Sequence, residues 1–201
     1  MSKAEAEDVL DFWFGQLDAD GRAEASKRKS WWKKDPAFDE EIRDRFLATY
    51  EAIVAGERRA WQEHASSCLA LVIVLDQFSR NMFRNTAKMY AADGQSVQIV
   101  HSGLERGFDR MLRTDECVFF YMPLMHSEDL AHQERCIVLF RALHDQCPVA
   151  AKDGLAKNID FAVKHRDIVR DWGRFPHRNE ILGRASTPEE LAFLEQPGSG
   201  F

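Results

Sequence analysis

The stretch Leu69-Ala-Leu-Val-Ile-Val-Leu75 decides the fold. It is apolar on every side, which is typical of a helix buried all round, because a helix at a surface keeps one polar stripe. We expect this helix to run from about residue 58 to residue 79 and to lie at the centre of the molecule. It is too short to span a bilayer, which takes about 20 apolar residues.

The flanking segments carry the apolar period of further helices. The first helix has its apolar residues at the spacing i, i+3, i+4, i+7, namely Ala6, Val9, Leu10, Trp13, Phe14 and Leu17. Asp35-Pro36 predicts the start of the second, which Gly56 ends. The others are predicted over about 93–107, from Thr114 to before Pro123, from a Ser127 cap to Pro148, over 153–172, and after the capping box Thr187-Pro-Glu-Glu190. Seven or eight helices with short connections predict an all-α fold of stacked antiparallel helical hairpins, either a bundle or a solenoid-like array.

The composition is that of an ordinary globular protein. Of 201 residues, 45% are apolar and 30% charged, and the net charge is -6. This charge argues against a broadly basic surface for nucleic acid or anionic membrane, so we expect neither partner. No linker rich in Pro, Gly or Ser divides the chain. We therefore predict one domain over residues 1–201, with a frayed tail at about 197–201.

The sequence predicts no metal and no cofactor. It contains no H-E-x-x-H, G-x-S-x-G, Walker or dinucleotide-binding motif. Its four cysteines form no C-x-x-C pair, and most lie among apolar residues, as small buried hydrophobes do. The charged N-terminal segment lacks the apolar core of a secretory signal, which indicates a reduced, cytoplasmic protein. The oligomeric state is left open, because an apolar stripe serves a core and a dimer face equally.

Charged residues follow the central helix where apolar residues were expected. Asp76 and Arg80 are spaced i, i+4, so they can pair. Burying a charge is costly unless it is paired and hydrogen-bonded. One interpretation is a structural ion pair at the helix end. The other is a pair that borders a cleft, with Arg80 or Arg84 able to bind an anion.

A second polar cluster, Met125-His-Ser-Glu128, is predicted to begin a helix. The free N–H groups of a helix N-terminus favour an anion or acceptor. His126 and Glu128 are therefore candidate acid–base groups or metal ligands. The alternative is an ordinary helix start, with Ser127 as the cap and Glu128 complementing the helix dipole.

The third polar cluster is Trp172-Gly-Arg-Phe-Pro-His-Arg-Asn179. Gly173 and Pro176 predict a sharp turn that groups four polar residues, namely Arg174, His177, Arg178 and Asn179. Arginine binds carboxylates and phosphates in bidentate fashion. The alternative is that these arginines bond helix carbonyls or pair with neighbouring acids. His165, which precedes the turn on an apolar stripe, is interpreted as a core histidine.

These motifs resemble a largely bacterial family without assigned activity, domain-of-unknown-function family 924. The family motifs are L-D-Q-F-P-R-N, F-R-G-T, H-S-E and F-G-R-F-P-H-R-N-x-x-L-G-R. They stand here as Leu75-Asp-Gln-Phe-Ser-Arg-Asn81, Phe83-Arg-Asn-Thr86, His126-Ser-Glu128 and Trp172-Gly-Arg-Phe-Pro-His-Arg-Asn179 with Leu182-Gly-Arg184. Ser79, Asn85 and Trp172 replace the family's Pro, Gly and Phe. The resemblance spans nearly the whole chain, Trp31-Trp32 included, and implies a tetratricopeptide-repeat-like right-handed superhelix but no reaction.

Three hypotheses follow, and the two functional ones place the three polar segments around one hollow. The favoured one is a binding protein for an anionic small molecule or an acidic peptide, with a pocket formed by Arg80, Asn81, Arg84, Arg174, His177, Arg178 and Asn179. The second is a hydrolase or transferase with acid–base groups drawn from Asp76, His126, Glu128 and His177. In the third, the motifs are architectural and lock helix ends together.

Overall fold

The fold is all helical, as predicted, over the residues 3–200 that the computed structural model describes, with side chains from residue 5 onward. Within that range the helices are α1 (Lys3–Phe14), α2 (Ala25–Ser30), α3 (Pro36–Val54), α4 (Ala65–Val72, Ile73–Phe78 and Ser79–Met82), α5 (Asp93–Glu105), α6 (Thr114–His126), α7 (Leu130–Gln146), α8 (Val149–Trp172) and α9 (Pro188–Leu194). Short 3₁₀ turns lie at Arg59–Glu63, Ala87–Tyr90, Phe108–Met111 and Pro176–Arg178.

Helix α4 is the central helix that the apolar stretch predicts. Every residue from 67 to 79 is buried, and α1, α3, α5 and α6 pack around the helix. It begins later than predicted, because His64 is extended and separates it from the preceding 3₁₀ turn. Its middle turn, Ile73–Phe78, is π-helical. Such wide turns are rare and are found frequently at functional sites, and this one contains Asp76.

Helices α6, α7 and α8 form consecutive hairpins. Each packs against the next in sequence, and the α7–α8 contact is the most extensive in the described part of the chain. The two residues Cys147 and Pro148 join α7 to α8, so these two helices run antiparallel. This agrees with stacked helical hairpins, whereas the right-handed superhelix stays a prediction.

The helix boundaries near Pro123 and Ser127 also differ from the sequence-based expectation. Helix α6 does not stop before Pro123 but continues through it to His126. An internal proline costs about 3 kcal/mol, and here the burial of Met122, Leu124 and Met125 offsets that cost. The next helix is capped by Asp129, whose Oδ1 accepts the Ala131 N–H at 2.8 Å. The prediction that Ser127 caps it is wrong.

Other expectations are met by the described residues. The Asp35 carboxylate accepts the Ala37 N–H at the start of α3, and Thr187 and Glu190 form the predicted capping box of α9. The four cysteines are free and buried. None of the described helices combines the length and the apolar character that crossing a membrane requires.

The single domain and the frayed tail stay predictions. Before the last residue, Ser199 is buried and its Oγ donates to the Leu194 carbonyl at 3.0 Å. Phe201, which was included in the predicted tail, lies outside the described residues.

Candidate functional site

Asp76 is the centre of a buried polar cluster. It is fully buried, and its carboxylate contacts Arg80 Nη1 at 3.0 Å, His126 Nδ1 at 2.8 Å and Gln77 Nε2 at 2.6 Å. Burial alone would raise the pKa of Asp76, but the Arg80 guanidinium and His126 hold it below its ordinary value. The predicted i, i+4 ion pair is therefore present, and it includes a histidine from α6.

Arg80 continues this cluster to α5. Its guanidinium donates two hydrogen bonds of 3.0 Å to the Asp93 carboxylate. Arg178 Nη1 lies 3.6 Å from the same carboxylate, and its guanidinium stacks between the Tyr90 and Phe175 rings. Burial, with the neighbouring Arg80 charge second, lowers the pKa of Arg178. The half-buried Arg80 and the buried Arg178 therefore share Asp93.

Arg84 and Asn81 turn away from this cluster toward α3. Arg84 donates from Nε and Nη2 to Asp39 at 2.6 and 2.8 Å, and Asn81 donates to the same carboxylate at 2.7 Å. Between these groups and α5, Asn85 adopts φ +62°, a conformation that glycine favours. Asn is one of the few other residues that accept it, so the departure from the family's Gly keeps the backbone path.

The third polar segment forms an elbow, residues 172–184, that is bound to the α6–α7 connection through Glu128. The Glu128 carboxylate accepts the Phe175 N–H at 2.8 Å and two hydrogen bonds from Arg184 at 2.6 and 2.9 Å. Burial alone would raise the pKa of Glu128, but the Arg184 and Phe175 donors lower it overall. Glu128 is therefore a structural partner of the elbow. The prediction placed it in the first turn of a helix, but it lies in the connection between α6 and α7.

The elbow is fixed a second time by Glu190 of α9. Arg174 donates to both oxygens of Glu190, at 2.6 and 2.7 Å, and Asn179 donates to one of them at 3.2 Å. Arg174 lowers the pKa of this carboxyl group to about 2. His177 packs against the Phe175 ring, and burial, followed by the Arg178 charge, lowers its pKa to about 4.

The three polar segments lie close together, as expected. What joins them is a set of ion pairs and hydrogen bonds. Asp76 joins the first segment to His126, and Glu128 joins the second to the elbow. Arg80 and Arg178 come together at Asp93, whereas Arg84 and Arg174 bind separate carboxylates. The expected convergence of the four arginines on one anion pocket is not what the described residues show, and an anion-binding role for them stays a prediction.

An open cavity lies beside the cluster, and its volume is about 770 Å³. Helices α6, α7 and α8 and the chain around α2 form its walls. The wall is mostly apolar and aromatic, with Trp31, Trp32, Met122, Phe140, Leu155 and Phe161 among its residues. Sequence reasoning missed this cavity because apolar residues on a helix predict a core equally well. The one available signal was Trp31-Trp32, which the family resemblance included.

His126 belongs to both the cluster and the cavity. Its Nδ1 faces Asp76 at 2.8 Å, and the same residue lines the cavity. Burial lowers the pKa of His126, and the Asp76 charge opposes that shift only in part. His165 also lines the cavity; burial, with His126 second, lowers its pKa to about 3. Both rings are therefore neutral near pH 7.

Cationic groups line the cavity as well. Arg22 and Arg28 are half-buried and Lys157 is exposed, and none of them makes an ion pair with a residue in the described part of the chain. Arg28 Nε is buried and has no hydrogen-bond partner there. Asp115, the one carboxylate of the lining, accepts the Ala23 N–H at 2.8 Å.

Comparisons with known proteins support the resemblance seen in the sequence. A family model described as "Bacterial protein of unknown function (DUF924)" matches residues 9–198. A solved structure of a protein of unknown function from Agrobacterium tumefaciens is similar to the chain, with 40% sequence identity and a TM-score of 0.81. The match covers 96% of this chain and 98% of that one. No curated protein matches the sequence.

Proposed function

This chain belongs to the bacterial family of unknown function DUF924, and we propose that it binds a small molecule with a largely apolar body and one acidic group. The observation that carries this proposal is the open, aromatic-walled cavity of about 770 Å³ between α6 and α8. Small-molecule sites typically have volumes of about 300 to 1,000 Å³ and mostly apolar walls with a few polar groups.

The wall supports an apolar ligand body. Trp31 and Phe140 line the cavity together with Met122, and aromatic and thioether groups bury much apolar area against a ligand. A flexible acidic peptide fits this space less well than a compact molecule, because its backbone amides need hydrogen-bond partners and the wall offers few polar groups.

The lining cations support an acidic group on the ligand. Arg84 and Arg174 are each bound to a carboxylate of the protein, so binding an anion there requires breaking an ion pair. Arg28 makes no such pair within the described residues, and it lines the cavity with Lys157. A carboxylate or similar anion next to Arg28 would satisfy this guanidinium through charge-assisted hydrogen bonds.

Filling the cavity tests the proposal. Gly154 of α8 lines the cavity, and a Cβ there meets no atom within 4 Å. The change Gly154→Phe places a ring in the open space and suits a helix better than glycine. We expect it to weaken binding of the fluorescent probe 1-anilinonaphthalene-8-sulfonate at least tenfold. Gly94→Phe in α5 is the matched control, since Gly94 is equally unobstructed and does not line the cavity.

A pair of probes, one charged and one uncharged, separates the apolar part of the site from the cationic part. The change Arg28→Gln should weaken the sulfonate probe about tenfold and leave its uncharged analogue, N-phenyl-1-naphthylamine, unchanged. The proposal is contradicted if the Gly154→Phe variant binds the sulfonate probe as tightly as the unmodified protein does. It is also contradicted if the probe does not bind the unmodified protein.

A further inference from the structure

We propose that His126 is a catalytic general base that activates water to hydrolyse an ester of an apolar acyl group held in the cavity, with Asp76 as its positioning residue. This inference rests on the proposed binding function and adds a reaction to it. The first support is that His126 contacts the buried Asp76 carboxylate and also lines the open cavity.

The hydrogen bond to Asp76 sets the tautomer of His126. A carboxylate that keeps its charge only accepts hydrogen bonds, so the ring donates from Nδ1 at 2.8 Å and its lone pair lies on Nε2. Among residues 5–200, none makes a hydrogen bond to Nε2. The basic nitrogen of a fixed ring is thus available to a molecule in the cavity.

Burial, together with the Arg80 charge, keeps this ring neutral at ordinary pH. The groups that face it are Asp76 and Arg80 of α4, Asp93 of α5 and His165 of α8. Asp76 and Asp93 raise the pKa of His126, but burial and Arg80 outweigh them. His165 lies 6.2 Å away between ring centroids and is itself neutral, because its pKa is lowered to about 3. A neutral ring is the form that takes up a proton.

We assign water as the nucleophile of the reaction. None of the described residues that line the cavity carries a hydroxyl or thiol group. In the reaction, Nε2 removes a proton from water as the water oxygen bonds to the ester carbonyl carbon. The tetrahedral intermediate then breaks its bond to the alcohol oxygen, and His126 returns the proton to that oxygen. The products are an alcohol and a carboxylic acid with an apolar body, and no further reactant is needed.

The test uses mono-4-nitrophenyl adipate, which combines an ester, an apolar chain and a terminal carboxylate. The change His126→Asn keeps a side-chain N–H for Asp76 but removes Nε2. We expect it to lower kcat at least 100-fold, as loss of a general base does, while binding of 1-anilinonaphthalene-8-sulfonate stays within about twofold. His64→Asn is the control for hydrolysis by exposed imidazoles, since His64 is exposed and outside the cavity.

The pH profile tests the role of Asp76. Activity should rise with pH as His126 loses its proton, at a midpoint below the ordinary histidine pKa of about 6.5. Because Asp76 raises the pKa of His126, the change Asp76→Asn should move this midpoint to lower pH and reduce kcat. An unchanged midpoint would show that the group whose titration controls activity does not lie next to Asp76.

Two results overturn the inference and are distinguishable from failure of the binding proposal. The inference fails if the unmodified protein binds the sulfonate probe but hydrolyses the ester no faster than His126→Asn. It also fails if Gly154→Phe blocks probe binding and leaves hydrolysis unchanged. If the probe does not bind the unmodified protein, the binding proposal itself is wrong.

Discussion

The two faces of His126 belong to regions with different electrostatic character. On the Asp76 side, arginines and carboxylates are paired, as Arg80 is with Asp76 and Asp93. On the cavity side, Arg22 and Arg28 make no ion pair with the described residues. A paired arginine is occupied in holding helices together, whereas an unpaired one beside open space is available to a ligand. The number of arginines in a motif therefore says less about binding than the partners each one has.

The largest effect that this comparison predicts is on the paired side. The change Arg80→Met removes the shared cation and leaves the buried Asp76 and the half-buried Asp93 as poorly compensated carboxylates. Breaking a buried ion pair by removing one partner costs about 3 to 5 kcal/mol, so we expect a large drop in the free energy of unfolding in urea. A loss below about 1 kcal/mol would show that Arg80 is as replaceable as a surface charge.

An intermediate effect is expected on the cavity side, and it depends on pH. His165 has a folded-state pKa of about 3, below its unfolded value of about 6.5. The unfolded chain therefore takes up the proton first as pH falls, and stability is lost below about pH 6.5 at about 1.4 kcal/mol per pH unit. The change His165→Met should remove this component, or about 2 kcal/mol between pH 6.5 and pH 5. Urea unfolding of both proteins at the two pH values measures it, and parallel pH dependences would contradict it.

The smallest effect is expected at Asn85, which lies outside both regions. Glycine adopts a positive φ without the steric cost that Asn pays. The change Asn85→Gly should shift the free energy of unfolding by less than about 1 kcal/mol, with no change in probe binding. This variant gives the background against which the effects at Arg80 and His165 are compared, and a larger loss would mean that the Asn85 side chain has an unrecognised role.

The sequence was informative where local rules act. The apolar run 69–75 predicted a buried central helix, and Asp35-Pro36 and Thr187-Pro-Glu-Glu190 predicted helix starts that the structure confirms. Local rules failed at Pro123, where tertiary burial outweighs the local cost of proline within a helix. They also missed α2, a helix of six residues with no apolar stripe.

The candidate site was predicted only in part. The i, i+4 spacing predicted the pairing of Asp76 with Arg80, but the contact with His126 joins residues 50 positions apart, and no local pattern contains it. The cavity was not predicted, because Phe140 and Leu155 have the same periodicity whether they face another helix or open space. Which arginines are paired depends on Asp39, Asp93 and Glu190, and no local pattern in the sequence links these acids to an arginine.

Glu128 has a consequence for the order in which the chain acquires its native contacts during synthesis. Its partners Phe175 and Arg184 lie 47 and 56 residues further along, whereas both partners of the Asp76–His126 contact precede it. A ribosome-bound chain can therefore bring Asp76 together with Arg80 and His126 while Glu128 is still without its partners Phe175 and Arg184. The contacts between Glu128 and the elbow therefore form after the Asp76–His126 contact, and arrested nascent chains that end before Arg184 should keep α7 and α8 more open to proteolysis than longer ones.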